Sequence, residues 1–232
     1  MNTPAEREVV EQFAELGVLA FTTTRHAGDF GIRAEGPSPD VRGRWERVLE
    51  QLAPAERLAS ARQVHGRIVL THSGDWRGWR RIDGADGHVT ATRGTALAVT
   101  VADCVPVFLA HPSGIVGLVH AGWRGVVDRV LDAGLDAMDA AGAPKDEVRV
   151  HLGPAISGRH YEVGPDVYRQ LTGWDTIRPR RVDLRALLAE QARERGVVHL
   201  TASVSCTREN ADQFYSHRGG DTGRQIGVIV VV

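Results

Sequence analysis

Three side chains in separate segments of the sequence could bind one metal ion. His120 ends the apolar run 115–119, just before a glycine-rich turn. Cys104 follows the apolar run 96–101, and His65 stands near the predicted start of a strand. One thiolate and two imidazoles are a ligand set for catalytic zinc, which keeps its fourth position for water. Such a site would lower the pKa of that water to about 7 and supply hydroxide at neutral pH.

The spacing of these residues leaves other roles open for the two cysteines. It matches no local zinc-binding pattern, so Cys104 could also be a buried structural thiol. A third alternative is a metal-free hydrolase in which Cys104 is the nucleophile and His120 its base. Cys206 follows a predicted strand without a companion motif, which favours a structural role. Two cysteines are too few for a disulfide scaffold.

Two glycine-rich segments could bind anions. Residues 122–125 open a predicted helix, where free backbone N–H groups favour phosphate or carboxylate. Residues 216–224 place Arg218 and Arg224 in a loop. Each pattern alone is also typical of a solvated loop. Trp123 could pack the turn or stack on a base.

The composition is that of a globular chain and argues against several functions. The chain has 232 residues, with 28 Lys and Arg against 29 Asp and Glu, giving a formal net charge of -1. A charge near zero argues against a protein that wraps nucleic acid. No apolar run approaches the roughly 18 residues of a membrane helix, and residues 1–8 show no signal-peptide pattern. We therefore expect a cytoplasmic protein without a membrane or nucleic-acid partner, whose oligomeric state the sequence does not reveal.

The elements that must position these side chains are predicted from hydrophobic periodicity. Helices are predicted at 5–16, around 45–52, over about 18 residues after the turn at 121–125, at 165–171 and at 184–195. Strands are predicted at 18–24, 63–71, 95–101, 106–110, 115–120, 148–152, 197–204 and 225–232, with loops at 26–40 and 73–88. Helices and strands do not alternate strictly, and we find no repeat or linker. The pattern therefore favours one α+β domain spanning residues 1–232.

Six motifs follow one another along the chain. They are Arg62-Gln63-Val64-His65-Gly66, Asp83-Gly84-Ala85-Asp86-Gly87, Ala102-Asp103-Cys104-Val105-Pro106, Val119-His120-Ala121-Gly122-Trp123-Arg124-Gly125, Gly153-Pro154-Ala155-Ile156 with Tyr161-Glu162-Val163-Gly164, and the tail from Cys206-Thr207 to Gly223-Arg224. In this order they resemble the bacterial YfiH-like family, labelled polyphenol oxidase or laccase domain and related to the animal purine-metabolic enzyme FAMIN. Six motifs in register are far more specific than any one of them.

The resemblance implies a fold, a metal site and a class of reaction. The implied fold is a single four-layer α-β-β-α domain with mixed sheets. The implied Zn²⁺ ligands, which are also the catalytic residues, are His65, Cys104 and His120. The implied reactions are phosphorolysis of adenosine, inosine and methylthioadenosine, and hydrolytic deamination of adenosine. The partners are then purine nucleosides and phosphate.

Further site residues follow from what these reactions need. Asp103, beside Cys104, is a candidate proton carrier or a group that orients a histidine. The substrate-binding candidates are polar side chains within the motifs, and the arginines among them could hold phosphate by bidentate contacts. They are Arg62, Gln63, Arg124, Arg218 and, as a further phosphate candidate, Arg224.

Two other functions stay open. A multi-copper oxidase needs many histidines, commonly as His-x-His pairs, and this chain contains no such pair. Three protein ligands suit one open metal site. Cu²⁺ could still occupy it, because copper outcompetes zinc for similar ligands, and could give weak phenol oxidation. Bacterial members of the family are also linked to editing of peptidoglycan precursors, which a protein could do by binding a nucleotide-linked precursor.

Overall fold

The computed structural model describes residues 6–232 and contains two six-stranded sheets. The strands are β1 (Arg7–Val9), β2 (Val18–Thr23), β3 (Arg57–Arg62), β4 (Val69–His72), β5 (Gly78–Asp83), β6 (Gly87–Thr90), β7 (Thr95–Val101), β8 (Val105–Ala110), β9 (Val116–Ala121), β10 (Arg149–Leu152), β11 (Glu162–Val163), β12 (Arg180–Arg181), β13 (His199–Ala202) and β14 (Gln225–Val231). The α-helices are α1 (Pro39–Gln51), α2 (Trp123–Val127), α3 (Val130–Ala140), α4 (Pro165–Thr172) and α5 (Leu184–Glu194). Within the described part of the chain, none of these helices has the length and apolar character needed to cross a membrane.

Both large sheets mix parallel and antiparallel pairs. The first has the strand order β1-β2-β14-β7-β3-β5 and the second β13-β10-β8-β9-β6-β4. In the first sheet β3 runs parallel to β5 and β7, whereas β14 is antiparallel to β2 and β7. In the second, β8 and β9 form an antiparallel hairpin, while β4 pairs parallel with β6 and β10 with β13. The expected α+β class is confirmed.

Apolar clusters fill the spaces between four layers. Trp45 of α1 is fully buried against the outer face of the first sheet. Between the two sheets, Leu97 of β7 and Phe108 of β8 belong to a second cluster. Leu131 of α3 and Leu188 of α5 belong to a third, which covers the other face of the second sheet. Alternate side chains of each strand serve the two faces of its sheet, so the order of layers is α-β-β-α, as expected.

The predicted helix at 5–16 is wrong for the residues that the structure describes, which exclude residue 5. Strand β1 pairs antiparallel with β2, and the N–H of Val10 donates to the carbonyl of Ala20 at 2.8 Å. Only Glu11–Leu16 turns, as a 3-10 helix that ends at Gly17 in a left-handed conformation. A free sheet edge was available for pairing, and local apolar spacing does not report that edge.

Two predictions in the middle of the chain are also wrong. The segment 63–71 is not one strand, because β3 already ends at Arg62 and β4 begins only at Val69, after a turn that contains His65. The segment 73–88 is not a loop, because it contains β5 and the start of β6. Strand β5 is a half-exposed edge strand, so its residues lack a clear apolar alternation.

Most of the remaining elements are confirmed within a few residues, but α1 begins at Pro39, six residues before its predicted start, and one predicted helix is divided. The predicted helix of about 18 residues is two helices, α2 and α3. Arg129 separates them with a φ of 60°, a left-handed conformation that an α-helix cannot continue through. The predicted loop 26–40 contains the end of a 3-10 helix at Arg25–Ala27 and gives way to α1 at Pro39, after the Ser38 cap.

A substitution at Gly134 of α3 tests how closely the helices approach the second sheet. A Cβ at Gly134 would lie 2.8 Å from Cγ2 of Val119, in the rigid core. We expect Gly134→Val to lower the free energy of unfolding by roughly 1–3 kcal/mol, as measured by urea denaturation. Gly43→Val in α1 is the matched control, since its Cβ would meet only the flexible end of Arg47. Equal stability of the two variants would contradict the packing described.

Candidate metal centre

His65, Cys104 and His120 meet where the chain passes from one sheet to the other. His65 lies in the β3–β4 connection and Cys104 in the β7–β8 connection, both of which lead from the first sheet to the second. His120 lies on β9 next to its end. One nitrogen of each ring and the sulfur lie within 4.8 Å of one another. Within residues 6–232 these side chains form a group that could hold a metal ion, and they are the three that the sequence predicts as ligands.

The side chains differ in exposure, which gives the cluster an inner and an outer end. His120 is buried, Cys104 is partly exposed and His65 is exposed. The two imidazole rings lie edge to face, with their centroids 4.9 Å apart. His65 has a φ of 59°, a conformation that few non-glycine residues adopt and that the tight turn imposes. The cluster is therefore open to solvent on the His65 side.

The carboxylate of Asp86 holds two of these residues in place. It is fully buried, and its oxygens accept hydrogen bonds from the backbone N–H groups of Val64, His65 and Gly66 at 2.8–3.2 Å. One of the same oxygens lies 2.9 Å from Nδ1 of His120. Because Nδ1 donates to the carboxylate, Nε2 of His120 is left free for a ligand.

The charges of the cluster reinforce one another. Burial on its own would raise the pKa of the Cys104 thiol, but the charge and hydrogen bond of His120, with the hydrogen bond of His65, lower it to about 6. Burial would lower the pKa of His120, but Cys104 and Asp86 raise it to about 9. Burial also opposes ionisation of Asp86, yet His120 and the backbone N–H groups keep its pKa below the ordinary value. Without a metal, the cluster is thus an ion pair of thiolate and imidazolium.

The space above the cluster depends on Gly122. A Cβ at this position would lie 3.0 Å from Sγ of Cys104 and 3.0 Å from Cδ2 of His65. Ligands of a tetrahedral zinc ion lie roughly 3.3–3.8 Å apart, given zinc–ligand distances of about 2.0–2.3 Å. The three ligand atoms need only small adjustments to reach that separation. A thiolate, a free Nε2 and an exposed imidazole therefore fit a single zinc or copper ion with an open position.

The hydrogen bonds of the Asp103 carboxylate do not involve either histidine of the cluster. The carboxylate accepts hydrogen bonds from the hydroxyl of Thr207 and from the backbone N–H of Arg218, both at 2.6 Å. These contacts tie the tail loop to the turn that carries Cys104. In the described chain it is Asp86, rather than Asp103, whose carboxylate contacts His120.

A cavity of about 320 Å³ lies beside the cluster, large enough for a small ligand. Of the substrate candidates, it is lined by Arg62, Gln63 and Arg224. Arg62 donates from Nε and Nη2 to the two carboxylate oxygens of Asp83. Gln63 is held by the backbone and hydroxyl of Thr100, at 2.8 Å in each contact. Gln63 therefore shapes the wall of the cavity.

The other two candidate arginines do not line this cavity. The guanidinium of Arg124 lies over the ring of Trp123, 4.3 Å from its centroid. Arg218 donates to the carbonyl of Glu162 and lies over the ring of Tyr161. Burial, together with the charge of Cys104, raises the pKa of the Tyr161 hydroxyl to about 12. The charges of Arg218 and Arg124 act in the opposite direction. These arginines therefore lie close to the cluster without facing the cavity.

Three residues of the site were missed by sequence reasoning. Asp86 lies within the second motif, where a carboxylate directly before Gly87 was the available signal. Arg81 and His217 line the cavity but lie in segments that are predicted as loops, 73–88 and 216–224, with no site role assigned to either residue. A cavity of about 480 Å³ beside α1 is larger, yet none of its lining residues belongs to the cluster.

Comparison with known proteins gives a family and several relatives. A family model described as multi-copper polyphenol oxidoreductase laccase matches residues 22–232. A purine nucleoside phosphorylase of Streptomyces griseus is 40% identical over 178 residues, which are 72% of this chain and 71% of that protein. A purine nucleoside phosphorylase of Deinococcus radiodurans is 37% identical over 210 residues, covering 85% of this chain and 79% of that protein.

Solved structures share the fold over the whole chain. YlmD from Geobacillus stearothermophilus superposes with a TM-score of 0.89 at 28% identity, covering 100% of this chain and 98% of that one. The hypothetical protein YfiH of Bacillus licheniformis gives a TM-score of 0.89 at 23% identity, with coverage of 100% and 98%. At that lower identity the likeness concerns the fold alone.

The lowered pKa of Cys104 predicts an unusual reactivity. After chelation of divalent metals, Cys104 should be alkylated by iodoacetamide with an apparent pKa of about 6, because the thiolate forms as the pH rises through that value. Rates at pH 5–9 would be measured by mass spectrometry of the modified peptide. The buried Cys206 serves as the internal control. A Cys104 rate that keeps rising to pH 9 would show that the thiol is an ordinary one.

The contacts of Asp86 predict its effect on metal affinity. We expect Asp86→Asn to weaken zinc binding by roughly 10- to 100-fold, since His120 loses the carboxylate that orients it. Affinity would be measured by competition with a chromogenic chelator, with circular dichroism to confirm folding. Asp103→Asn is the matched control, a neighbouring buried carboxylate whose contacts are with Thr207 and Arg218. A larger loss in Asp103→Asn than in Asp86→Asn would reverse the assignment.

Proposed function

Since this chain belongs to the multi-copper polyphenol oxidoreductase laccase family, whose members similar to it include proteins named purine nucleoside phosphorylase, we propose that it cleaves purine nucleosides with phosphate. The family match and the YfiH-type neighbours agree with the resemblance drawn from the six motifs. The observation that carries the proposal is the cationic cavity of about 320 Å³ that opens onto the His65, Cys104 and His120 cluster. The cavity is large enough for a small ligand and has a group of reactive side chains in its wall.

The proposed reaction needs a bound phosphate and a leaving purine. An oxygen of phosphate forms a bond to C1′ of the ribose, and the bond from C1′ to N9 breaks. The electron pair of that bond leaves with the purine, which takes up the proton that phosphate gives up. The products are the free base and ribose 1-phosphate. A transition state of this kind carries positive charge on the ribose, so the enzyme gains by holding phosphate close to C1′.

The residues of this chain would divide this work. The arginines of the cavity bind the anion and orient it. Asp86 keeps His120 and the His65 turn in fixed positions, so no reorganisation is needed when substrate binds. Asp103 keeps the tail loop, which includes Arg218, against the turn of Cys104. His217 lines the same cavity with an exposed imidazole that can exchange a proton with a bound purine.

We propose Zn²⁺ as the metal of this centre, held by His65, Cys104 and His120. The support is the donor set, one thiolate and two imidazoles around an open position. When bound, the ion would supply Lewis acidity next to the cavity. Cu²⁺ is the second candidate, because the same ligands bind it and the family description names copper.

Hydrolytic deamination of adenosine is a second proposed activity of the same site. In this reaction a water oxygen forms a bond to C6 of the purine, the bond from C6 to its amino nitrogen breaks, and ammonia leaves. The support is the ligand set, since zinc-dependent deaminases of nucleobases also combine histidine and cysteine ligands. The cavity would then hold the purine with C6 toward Cys104.

The ion pair of Cys104 and His120 also suits a metal-free cysteine hydrolase. A thiolate with a pKa of about 6 is the nucleophile that such an enzyme needs. Binding of a nucleotide-linked peptidoglycan precursor would use the same cavity. These alternatives predict activity without metal, or binding without turnover.

Incubation of adenosine with the zinc-loaded protein, with and without phosphate, tests the proposals. We expect adenine and ribose 1-phosphate only when phosphate is present, and inosine in either case. Cys104→Ala should lower both rates by at least about 100-fold and release the metal, because one of three ligands is lost. Products would be separated by chromatography and the metal measured by mass spectrometry.

Cys206→Ser is the control for the loss of Cys104, and the chelated wild-type protein tests whether activity needs the metal. Cys206→Ser should keep metal content and activity, since Cys206 lies outside the cluster. Full activity of the chelated wild-type protein would favour the cysteine hydrolase over the zinc enzyme. Absence of both products at millimolar adenosine would reject the nucleoside function.

A further inference from the structure

The cavity beside the cluster has more positive charge than its neighbours neutralise. It is lined by three arginines, Arg62 of β3, Arg81 of β5 and Arg224 of the tail loop. Among its described lining residues there is no aspartate or glutamate. A cavity with uncompensated arginines favours an anionic ligand, because the ligand replaces water as the partner of each guanidinium.

Arg62 is already paired. Its Nε and Nη2 bind the two carboxylate oxygens of Asp83, which lies opposite it on β5. This bidentate contact uses the face of the guanidinium that a phosphate would need. Arg62 therefore contributes little net charge to the cavity.

Arg81 lines the cavity without a partner. Its guanidinium forms no hydrogen bond and no ion pair within 4.0 Å to any other residue in 6–232. Burial lowers the pKa of Arg81, and the charge of Arg62 lowers it further, although Asp83 acts in the opposite direction. An anion bound to this guanidinium would compensate the loss of hydration that burial causes.

Arg224 lines the same cavity and is held at its base. Its backbone N–H donates to Asp29 at 2.8 Å, and its Nη1 donates to the carbonyls of Thr222 and Gly223. Its Nε and Nη2 have no hydrogen-bond partner among the described residues. The side chain is thus fixed in direction while two of its nitrogens stay available to a ligand.

We propose that Arg81 and Arg224 together form the phosphate subsite of the cavity, beside Cys104. The inference rests on the proposed phosphorolysis and names the residues that would bind its inorganic co-substrate. Two guanidinium groups match the charge of a phosphate dianion, and each can donate two parallel hydrogen bonds to it. Arg124 and Arg218 do not share this role, because each lies over an aromatic ring outside the cavity.

Steady-state kinetics of phosphorolysis with Arg81→Gln and Arg224→Gln tests the subsite. We expect each substitution to raise KM for phosphate at least tenfold and to leave KM for the nucleoside within about threefold, because the lost contact is with phosphate alone. Arg80→Gln is the matched control. Arg80 is the neighbour of Arg81 on β5, but its guanidinium lies over Trp76, away from the cavity.

Three results would overturn the proposal. The first is an unchanged KM for phosphate in either variant. The second is an equal rise in KM for phosphate and nucleoside, which would mean that the arginine supports the cavity as a whole. The third is an effect of Arg80→Gln as large as that of Arg81→Gln. Thermal unfolding of each variant would show that the comparison is made between folded proteins.

Direct binding separates this proposal from the proposed function. Equilibrium dialysis of the zinc-loaded protein with radiolabelled inorganic phosphate needs no turnover. If the wild-type protein binds phosphate and both variants bind it at least tenfold more weakly, the subsite stands even where no nucleoside is cleaved. If the wild-type protein does not bind millimolar phosphate with or without adenosine, the subsite is rejected whatever the reaction proves to be.

Discussion

The candidate site depends on one buried carboxylate. Asp86 has no exposed surface, and its oxygens accept hydrogen bonds from three consecutive backbone N–H groups and from His120. A buried charge is costly unless it is paired and hydrogen-bonded, so the turn of His65 and the ring of His120 stabilise Asp86 as much as it orients them. The same contact leaves Nε2 of His120 toward Cys104. The geometry of the cluster is therefore set before any ion or substrate binds.

The path of the chain between the sheets decides where this site lies. Three connections lead from the first sheet to the second: β3–β4 carries His65, β7–β8 carries Cys104 and β5–β6 carries Asp86 to the rim between the sheets. His65 and Asp103 have positive φ values there, which tight reversals impose on them. Gly122 keeps the remaining side open, because any Cβ would contact both Cys104 and His65. Buried layers thus support an open, polar rim, where a small ligand can reach the reactive side chains.

Much of the fold could be predicted from local pattern. The buried strands β7, β8, β9 and β14 are continuous apolar runs, and helices α4 and α5 have clear spacing and caps. The errors fell on segments whose conformation depends on distant partners. Residues 7–9 form a strand because β2 offers an edge, and β5 forms because β3 lies beside it. The paired residues are 12–16 positions apart for β1 and 21 for β5, so the pattern within either strand does not report its partner.

The sequence by itself determined the residue types of the site, the α+β class and, through six motifs in order, the family and the three side chains that the fold brings together. Only the tertiary structure decided which charged groups remain available. Asp103 and Asp86 are both aspartates within the recognised motifs. Asp103 binds the tail loop through Thr207, whereas Asp86 binds His120. Arg62 and Arg81 lie on neighbouring strands, yet Asp83 forms its ion pair with Arg62 and not with Arg81. The physical reason is that the state of a charge depends on the partners within a few ångströms, and folding chooses those partners from distant parts of the chain.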